Sequence, residues 1–310
     1  MTKYIVSGYI GFDNFGDDAI AKVLTDRLKA KNAEKISLIS SNPEKTADMY
    51  GVDSCGMLNF IPSLLEADVL ISGGGSLLQD VTSIKSLIYY IGVILAGVIF
   101  RKKVVIYAQG IGPLKSKFGQ FLVKTVLKHV SEISVRDIHS QELLKQWNIV
   151  SALVKDPVFD IEIEQKHETG TVGVQLRAFN SLTEPFLSKL ADVILKYFPD
   201  KNIKIISLQD EVDEVVCEKF SSLLSQKGLS NISLVKNLSI NEALDCISGL
   251  EYLIGMRFHA NVIGIKSGVK TAAINYDPKV MALAEEYGIP LINTDGSDIE
   301  YCIKKLLQLG

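Results

Sequence analysis

The feature that most restricts the fold of this chain is a repeated alternation of short β-branched runs with amphipathic helical stretches. The strand-like runs are apolar almost throughout, as expected of parallel strands that helices cover on both faces. Before residue 150 these runs lie at 3–8, 35–40, 68–72, 103–108 and 132–135, and the helical stretches at 17–31, 60–67, 84–100, 118–130 and 138–147. The alternation predicts βαβ units that build a parallel sheet.

The alternation stops and then restarts near the middle of the chain. Residues 161–170 are charged and polar without an apolar period, and strand-like runs return at 171–176, 203–208, 232–235, 252–255 and 271–274. A length of 310 residues also suits two domains of ordinary size. We therefore predict an α/β protein of two Rossmann-like parallel-sheet domains, 1–160 and 171–310, joined by a linker at 161–170 and facing a cleft. Such domains bind ligands at the carboxyl ends of their strands.

Charge is unevenly distributed along the chain. The formal net charge of −3 excludes a strongly basic nucleic-acid-binding protein, so no nucleic-acid partner is expected. Residues 81–131, however, contain eight Lys and Arg residues and no Asp or Glu. The same stretch includes an apolar run at 87–100. At about 1.5 Å per residue, a helix over this run is too short to cross a hydrocarbon core roughly 30 Å thick.

Two interpretations of this basic, apolar stretch remain open. It could hold a core helix whose last turn carries Arg101, Lys102 and Lys103 to complement the helix dipole. Alternatively, residues 81–131 could meet an anionic membrane surface.

Metal and redox chemistry have no local signature in the sequence. The four cysteines form no C-x-x-C pair, and the four histidines, at 129, 139, 167 and 259, show no ligand spacing, so no metal is expected. The chain opens on a strand-like run rather than on a secretory signal pattern. These features predict a cytoplasmic protein with reduced thiols.

The first loop, at 8–19, is a candidate sugar-binding segment. Its three glycines fit neither G-x-G-x-x-G nor a P-loop. Asp17 and Asp18 stand where a helix begins, so they are expected to cap its N–H groups and to repel a phosphate. The alternative is an ordinary capped turn. The side chains that suit sugar stacking and hydroxyl binding are Tyr9, Phe12, Asp13, Asn14 and Phe15.

Two further strand ends carry glycines. Gly74 and Gly75 lie within Ser-Gly-Gly-Gly-Ser at 72–76, and Gln109 opens Gln-Gly-Ile-Gly-Pro. Glycine allows a ligand or a neighbouring backbone to approach closely. Asp80 follows the first of these loops and could accept a bond from a hydroxyl. We expect both loops at one sheet edge, where they could form a site or serve only as turns.

Cationic side chains follow several of the predicted strands. Arginine suits carboxylate and phosphate groups, and histidine can hold a proton near neutral pH. Arg257 and His259 are two residues apart, so in an extended strand end both would project to one side. If a helix instead starts there, its N–H groups would add to an anion site. Taken singly, each cation could be a surface ion-pair partner and the histidine structural. The full set is Arg136, Arg177, Arg257, His259 and Lys279.

Taken together in this order, the motifs resemble the polysaccharide pyruvyl transferase family, and within it the bacterial CsaB-like members that act on cell-wall polymer precursors. The resemblance covers nearly the whole chain. It departs from the family pattern at Phe258, often Leu, at Asp18, commonly Glu, and at Lys155, usually a small residue. The matching segments are 8–19, 71–80, 107–113, 133–137, 155–157, 173–177, 255–260 and 276–279.

The resemblance implies a two-domain fold similar to GT-B glycosyltransferases and transfer of pyruvate from phosphoenolpyruvate, as a ketal, onto two sugar hydroxyls. Phosphoenolpyruvate is then the donor substrate, and no separate cofactor is expected. The acceptor it implies is a lipid-linked saccharide containing N-acetylmannosamine, met by the first domain at the inner face of the cell membrane.

The resemblance also implies roles for the candidate residues. The five cations, Arg136, Arg177, Arg257, His259 and Lys279, would bind or activate phosphoenolpyruvate. We expect His259 to act as the general acid or as the donor on the phosphate side. The hydroxyl's base is left open among Asp17, Asp80 and Asp156. The expected acceptor-binding residues are Tyr9, Phe12, Asn14, Phe15, Asp17, Gly74, Gly75 and Gln109. Two rival functions are a GT-B-type nucleotide-sugar glycosyltransferase and a non-catalytic saccharide-binding protein.

Overall fold

The computed structural model describes residues 1–81, 83–164 and 169–309. The chain divides into two compact units, Met1–Asp160 and Ile161–Gly310. The predicted linker at 161–170 lies partly outside the described residues, at 165–168, as does His167. Each unit is an α/β structure with its own hydrophobic core.

The described residues of the first unit build one sheet of parallel strands. The strands are β1 (Lys3–Ser7), β2 (Lys35–Ile39), β3 (Asp53–Cys55), β4 (Val69–Gly73), β5 (Lys103–Gln109), β6 (Glu132–Val135) and β7 (Ala152–Leu153). Their order across the sheet is β3-β2-β1-β4-β5-β6-β7, and neighbouring strands pair in parallel. The parallel sheet predicted from the alternation is therefore confirmed.

Helices connect these strands and cover the sheet. They are α1 (Phe15–Ala30), α2 (Pro43–Tyr50), α3 (Phe60–Glu66), α4 (Ile84–Ile99), α5 (Lys117–Leu127) and α6 (Ile138–Gln146), with 3-10 turns at Met57–Asn59 and Pro157–Asp160. Side chains cap several N-termini: Ser83, Ser116 and Asp137 each accept a bond from a backbone N–H of the helix that follows. Of the described helices, none combines the length and the apolar content needed to span a membrane.

The second unit repeats the plan. Its strands are β8 (Thr171–Gln175), β9 (Asn202–Ile206), β10 (Ile232–Val235), β11 (Tyr252–Gly255), β12 (Lys270–Asn275) and β13 (Leu291–Asn293), in the order β10-β9-β8-β11-β12-β13. Its helices are α7 (Glu184–Tyr197), α8 (Asp210–Gln226), α9 (Ile240–Ser248), α10 (Phe258–Lys266), α11 (Pro278–Tyr287) and α12 (Ile299–Gln308). Both units are Rossmann-like, as predicted.

Some elements were not predicted from the sequence. Strands β3, β7 and β13 have only two or three residues, too few to show a period. Helix α2 buries only Thr46 and Tyr50, so its pattern is mostly polar. These short elements lie at the sheet edges or on the surface, and the central strands follow the sequence pattern closely.

Candidate functional site

In each sheet the order of the strands changes side at one point, and each such point marks a candidate site within its own unit. The chain builds from β1 out to β3 and then returns to place β4 on the other side of β1. In the second unit, β11 returns to the other side of β8 in the same way. Loops that follow the two strands at such a point flank the position where open α/β sheets bind ligands.

A narrow pocket lies at this point in the first unit. Its lining includes Gly8 and Tyr9 from the loop after β1, Asp17 from α1, and Gly73 and Gly74 from the end of β4. The loop after β1 and the loop after β4, both singled out from the sequence, therefore share one small concavity.

The carboxylate of Asp17 lies directly against Gly75 in the loop after β4. Gly75 has a φ of +54°, and a side chain at this position would clash with Asp17 Oδ1. On its other side, Asp17 Oδ2 accepts a bond of 2.7 Å from Asn14 Nδ2. Asp17 is thus held between the two loops.

The cap of α1 differs from the one predicted. Asn14 Oδ1 accepts from the Gly16 N–H at 3.2 Å, so Asn14 is the N-cap and the assignment of Asp17 and Asp18 as caps is wrong. The helix begins at Phe15, so both aspartates already lie inside its first turn, where a carboxylate complements the dipole without capping.

Asp18 is buried, with 6% of its surface exposed. The Tyr50 hydroxyl donates to Asp18 Oδ1 at 3.2 Å. Burial, reinforced by the neighbouring Asp17 carboxylate, raises the pKa of Asp18 to about 7. Near neutral pH this site therefore holds one carboxyl group that readily keeps its proton.

The aromatic residues of the first loop take two different positions. Tyr9 and Phe12 stack in parallel, with ring centroids 4.2 Å apart and planes 10° apart, and Phe12 is 40% exposed. Phe15 is 7% exposed, so the prediction that it offers its ring to a sugar is wrong. It is the first residue of α1 and faces the unit's interior.

The two glycine-bearing strand ends lie side by side, as predicted. The Gly110 N–H donates to the Gly75 carbonyl at 3.0 Å, and Gln109 Nε2 donates to Ser72 Oγ at 2.9 Å. Gln109 is fully buried, and its Oε1 has no hydrogen-bond partner among the residues that the structure describes. The Gln109 side chain thus bonds the neighbouring strand β4 and does not extend to the surface of its loop.

Arg136 and Asp156 form a buried ion pair in the first unit. Arg136 Nη1 lies 2.6 Å from Asp156 Oδ2, and both side chains are almost fully buried. Arg136 Nη2 also donates to Ser76 Oγ at 3.2 Å. The Val158 N–H donates to Asp156 Oδ1 at 3.0 Å. The pair fixes the end of β6 to the glycine loop after β4.

Asp80 anchors the loop that leads into α5. It accepts bonds from the N–H groups of Lys115 and Ser116 at 2.6 and 2.8 Å, and from the Ser116 hydroxyl at 2.7 Å. Burial acts to raise the pKa of Asp80, but these hydrogen bonds outweigh burial and lower that pKa. The carboxylate is therefore a weak base.

In the second unit, Arg257 is held by a ring of polar side chains. Its Nε and Nη2 donate to the two Asp213 carboxylate oxygens at 2.6 and 2.7 Å, and Nη2 also donates to Gln209 Oε1 at 2.9 Å. Its backbone N–H donates to Gln175 Oε1 at 2.6 Å. Only 7% of Arg257 is exposed.

The geometry around Arg257 and His259 differs from an extended strand end. Strand β11 stops at Gly255, Arg257 is the N-cap residue of α10, and His259 lies in the first turn of that helix. Asn261 Nδ2 donates to the carbonyls of Gly255 and Arg257 at 3.1 and 3.2 Å, so it braces the turn. The extended strand end is therefore not formed, and the helix start, whose N–H groups favour an anion, is the geometry present.

Arg177 lies just after the neighbouring strand β8. Its N–H donates to Met256 Sδ at 3.4 Å, and its Nη1 donates to the Tyr276 hydroxyl at 3.4 Å. Its guanidinium lies 5.6 Å from the centre of the Tyr276 ring. The buried Nε has no hydrogen-bond partner within the described part of the chain.

Lys279 lies in the first turn of α11, after β12. The N-cap Asp277 accepts its N–H at 3.0 Å, and Lys279 Nζ lies 3.8 Å from Asp277 Oδ2. Strands β8, β11 and β12 are neighbours, so the structure brings Arg177, Arg257 and Lys279 to one sheet edge. The N-termini of α10 and α11 face the same edge and favour an anion there.

The model of one protein family, described as polysaccharide pyruvyl transferase, matches residues 14–278. The chain belongs to this family. The match covers part of both units, from Asn14 in the first loop to Pro278 at the start of α11. The family predicted from the sequence motifs is therefore confirmed.

Solved structures similar to this pyruvyl transferase family member show the fold. HepE of Anabaena, solved with UDP and glucose, has a TM-score of 0.67 at 12% identity, over 100% of this chain and 92% of that one. UDP-GlcNAc 2-epimerase of Neisseria meningitidis, bound to UDP-GlcNAc, has 0.67 at 11%, over 98% and 91%. A glycosyltransferase of Rickettsia africae has 0.62 at 13%, over 99% and 91%. These likenesses confirm a GT-B-like fold of two parallel-sheet units.

Several residues of the site in this family member were not singled out from the sequence. Asp213, Gln209 and Gln175 surround Arg257, yet only Gln175 and Gln209 carry a signal, since each follows or ends a strand-like run. Asp213 lies one turn into α8 among other acidic residues. Within the described residues, no group of His, Cys, Asp or Glu is arranged to hold a metal.

Proposed function

We propose that this protein transfers pyruvate from phosphoenolpyruvate to two hydroxyls of a saccharide, forming a ketal and releasing phosphate. The observation that carries the proposal is the cationic sheet edge of the second unit, together with membership of the family. Phosphoenolpyruvate presents a carboxylate and a phosphate, so its binding requires fixed positive charges. Arg177, Arg257 and Lys279 supply such charges, and two helix N-termini add to them.

The cations in the second unit divide by their surroundings. Arg257 is held rigidly by Asp213, which suits a point of recognition that does not reorganise on binding. Lys279 and Arg177 are partly exposed, so a ligand can reach them. Arg136, which belongs to the first unit, is paired with Asp156, so in this proposal it supports the loop at Ser76.

The reaction needs one acid and one base. One acceptor hydroxyl oxygen bonds to C2 of phosphoenolpyruvate as C3 gains a proton, for which His259 is the proposed donor. The base takes the proton of that hydroxyl. The oxygen of the second hydroxyl then bonds to C2 as the bond from C2 to the phosphate oxygen breaks. The proton of that hydroxyl leaves with the phosphate.

The three candidate bases differ in where their carboxylates lie. Asp156 is held in the ion pair with Arg136. Asp80 is held by the Lys115 and Ser116 hydrogen bonds, which outweigh burial and lower the pKa of Asp80. Asp17 borders the pocket between the two acceptor loops and is the base that we propose. The acceptor sugar would stack on the Tyr9 and Phe12 rings.

The proposed acceptor is a lipid-linked saccharide with N-acetylmannosamine, used at the inner face of the cell membrane. A panel of sugar acceptors incubated with phosphoenolpyruvate tests the proposal by phosphate release and by the mass of the product. His259→Ala should abolish release, whereas His139→Ala, on an exposed turn of α6, should leave it unchanged. Consumption of a UDP-sugar with no phosphate from phosphoenolpyruvate would instead favour a glycosyltransferase. Acceptor binding without turnover would favour a saccharide-binding protein.

A further inference from the structure

Helix α4 has an apolar stripe on its solvent side. Its other side is in the core, where Leu87, Ile91 and Ile94 are buried. The exposed positions recur at helical spacing along one line, and Gly92 in the middle of that line has open space above it. The large residues of the stripe are Ile84, Ile88, Leu95 and Ile99, which are 39%, 48%, 41% and 65% exposed. A helix at the surface of a globular protein normally presents polar residues on its solvent side.

Helix α5 extends the stripe and adds positive charge. Gly119 of α5 lies close to Leu87, so the two helices pack together. Phe118 and Phe121 are 56% and 64% exposed. Lys117, Lys124 and the C-cap residue Lys128 fall on the same side of α5 as Phe121, at spacings of three or four residues.

Residues 57–65 border α4 on another side. The Tyr89 hydroxyl contacts Met57 Sδ at 3.2 Å, and Lys102 Nζ donates to the Leu65 carbonyl at 2.7 Å, so this segment runs beside α4. It exposes further apolar side chains, among them Leu58, which is 98% exposed. We call the exposed apolar residues of 57–65, α4 and α5 the apolar face.

The cations at the end of α4 do not act as expected from the sequence. The helix ends at Ile99, with no basic residue in its last turn. Lys102 Nζ binds the carbonyls of Leu65 and Ala67, so it caps α3, and Lys103 is paired with Glu132 at 2.5 Å. Lys85 and Arg101, exposed at the two ends of α4, and the lysines of α5 are therefore the charges beside the apolar face.

From this combination we infer that the apolar face docks on an anionic lipid bilayer, independently of the reaction proposed above. Exposed aliphatic and aromatic side chains gain free energy by entering the interfacial region, and adjacent lysines attract anionic headgroups. Helix α4, about 24 Å long by its 16 residues, would lie in the plane of the interface. Residues 81–131 hold no carboxylate that would oppose this approach.

A second copy of the chain fits this face less well than a bilayer does. Two such faces in contact would bring the lysines of α5 together without an acidic partner in 81–131. Like charges held together at an interface oppose association. Charge complementarity therefore selects the bilayer.

Vesicle flotation of the full chain tests the inference with phosphatidylcholine vesicles and with vesicles containing 30% phosphatidylglycerol as probes. We expect binding to the anionic vesicles only. Each lysine near an anionic surface contributes roughly fivefold, so the triple variant Lys117→Gln, Lys124→Gln, Lys128→Gln should lower the partition coefficient about a hundredfold. The matched control Lys31→Gln, Lys145→Gln, Lys189→Gln removes three exposed charges elsewhere and should change it little.

The apolar contribution is tested separately. The double variant Ile88→Gln, Leu95→Gln should lower anionic-vesicle binding at least tenfold, whereas Val215→Gln, at a 75% exposed site on α8, should not. Circular dichroism shows whether each variant keeps its fold. Equal binding of the wild type, the Lys117/Lys124/Lys128 variant and the Ile88/Leu95 variant would overturn the inference. A wild-type chain that does not bind anionic vesicles would also overturn it, and a dimer that Leu95→Gln disrupts would then assign the face to a second copy.

Discussion

The carboxylate of Asp213 and the guanidinium of Arg257 form a buried pair joined at two points, Nε to Oδ2 at 2.6 Å and Nη2 to Oδ1 at 2.7 Å. The pair connects the first turn of α8 to the N-cap of α10. Asp213 is fully buried and Arg257 is only 7% exposed, so removing one charge leaves the other in the interior without a counter-charge.

We predict that Asp213→Asn lowers the free energy of unfolding by about 3 to 5 kcal/mol, because it leaves a buried guanidinium without a counter-charge. In the proposed reaction it should also raise KM for phosphoenolpyruvate more than it changes KM for the acceptor. Urea unfolding and steady-state kinetics measure the two effects. Glu184→Gln, which removes an exposed partner of Lys219, is the control and should cost less than about 1 kcal/mol. A loss equally small at Asp213 would contradict the prediction.

Asp18 should make the protein less stable as the pH rises. Its pKa is raised by burial to about 7, so between about pH 4 and pH 7 the native state holds a proton that the unfolded state has lost. Stability from this group is therefore present at low pH and lost as the pH rises through 7, by up to roughly 4 kcal/mol.

The variant Asp18→Asn keeps a partner for Tyr50 and removes the titration. Its free energy of unfolding should fall less between pH 5 and pH 8 than that of the wild type. Urea unfolding at the two pH values measures the difference. The exposed Asp26→Asn is the control and should keep the wild-type slope. Identical slopes for all three proteins would show that Asp18 ionises normally.

The position of the cations was predictable from the sequence, but their partners were not. Arg177 and Arg257 follow apolar runs that became neighbouring strands of one sheet, and the carboxyl ends of such strands lie at the same edge. Arg136 follows an apolar run in the sheet of the first unit. Arg257 and Asp213 are separated by 44 residues. Asp213 lies in an acidic first turn that looks like ordinary dipole complementation, so periodicity gives no sign of the pairing.

The limits of the sequence are similar for the other elements. The apolar run at 87–100 indicated α4 but not which side of the helix is covered. A run of aliphatic residues has no polar side that would mark the solvent. Phe15 and Phe12 look alike in the sequence, yet the start of α1 between them buries one and leaves the other exposed.

Gly75 should be intolerant of a side chain. Gly75→Ala places a Cβ against Asp17 at a φ of +54°, so we expect a loss of about 1 to 2 kcal/mol in unfolding free energy and a higher KM for the acceptor. KM for phosphoenolpyruvate should not change. Gly92→Ala, on α4 with nothing near its Cβ, should instead stabilise by about 0.5 to 1 kcal/mol. Losses of similar size at both glycines would exclude the Asp17 contact as the cause.

The two phenylalanines of the first loop should respond to truncation in opposite ways. Phe12→Ala removes an exposed ring stacked on Tyr9, so we expect roughly a tenfold higher KM for the acceptor, consistent with the 0.5 to 1.5 kcal/mol of an aromatic contact, and little change in stability. Phe15→Ala empties a buried site and should cost about 3 kcal/mol or more in unfolding free energy. Acceptor titrations and thermal unfolding of both variants separate the effects. If Phe12→Ala destabilised the protein as strongly as Phe15→Ala does, its ring would be part of the packing, and the proposed sugar platform would have to be abandoned.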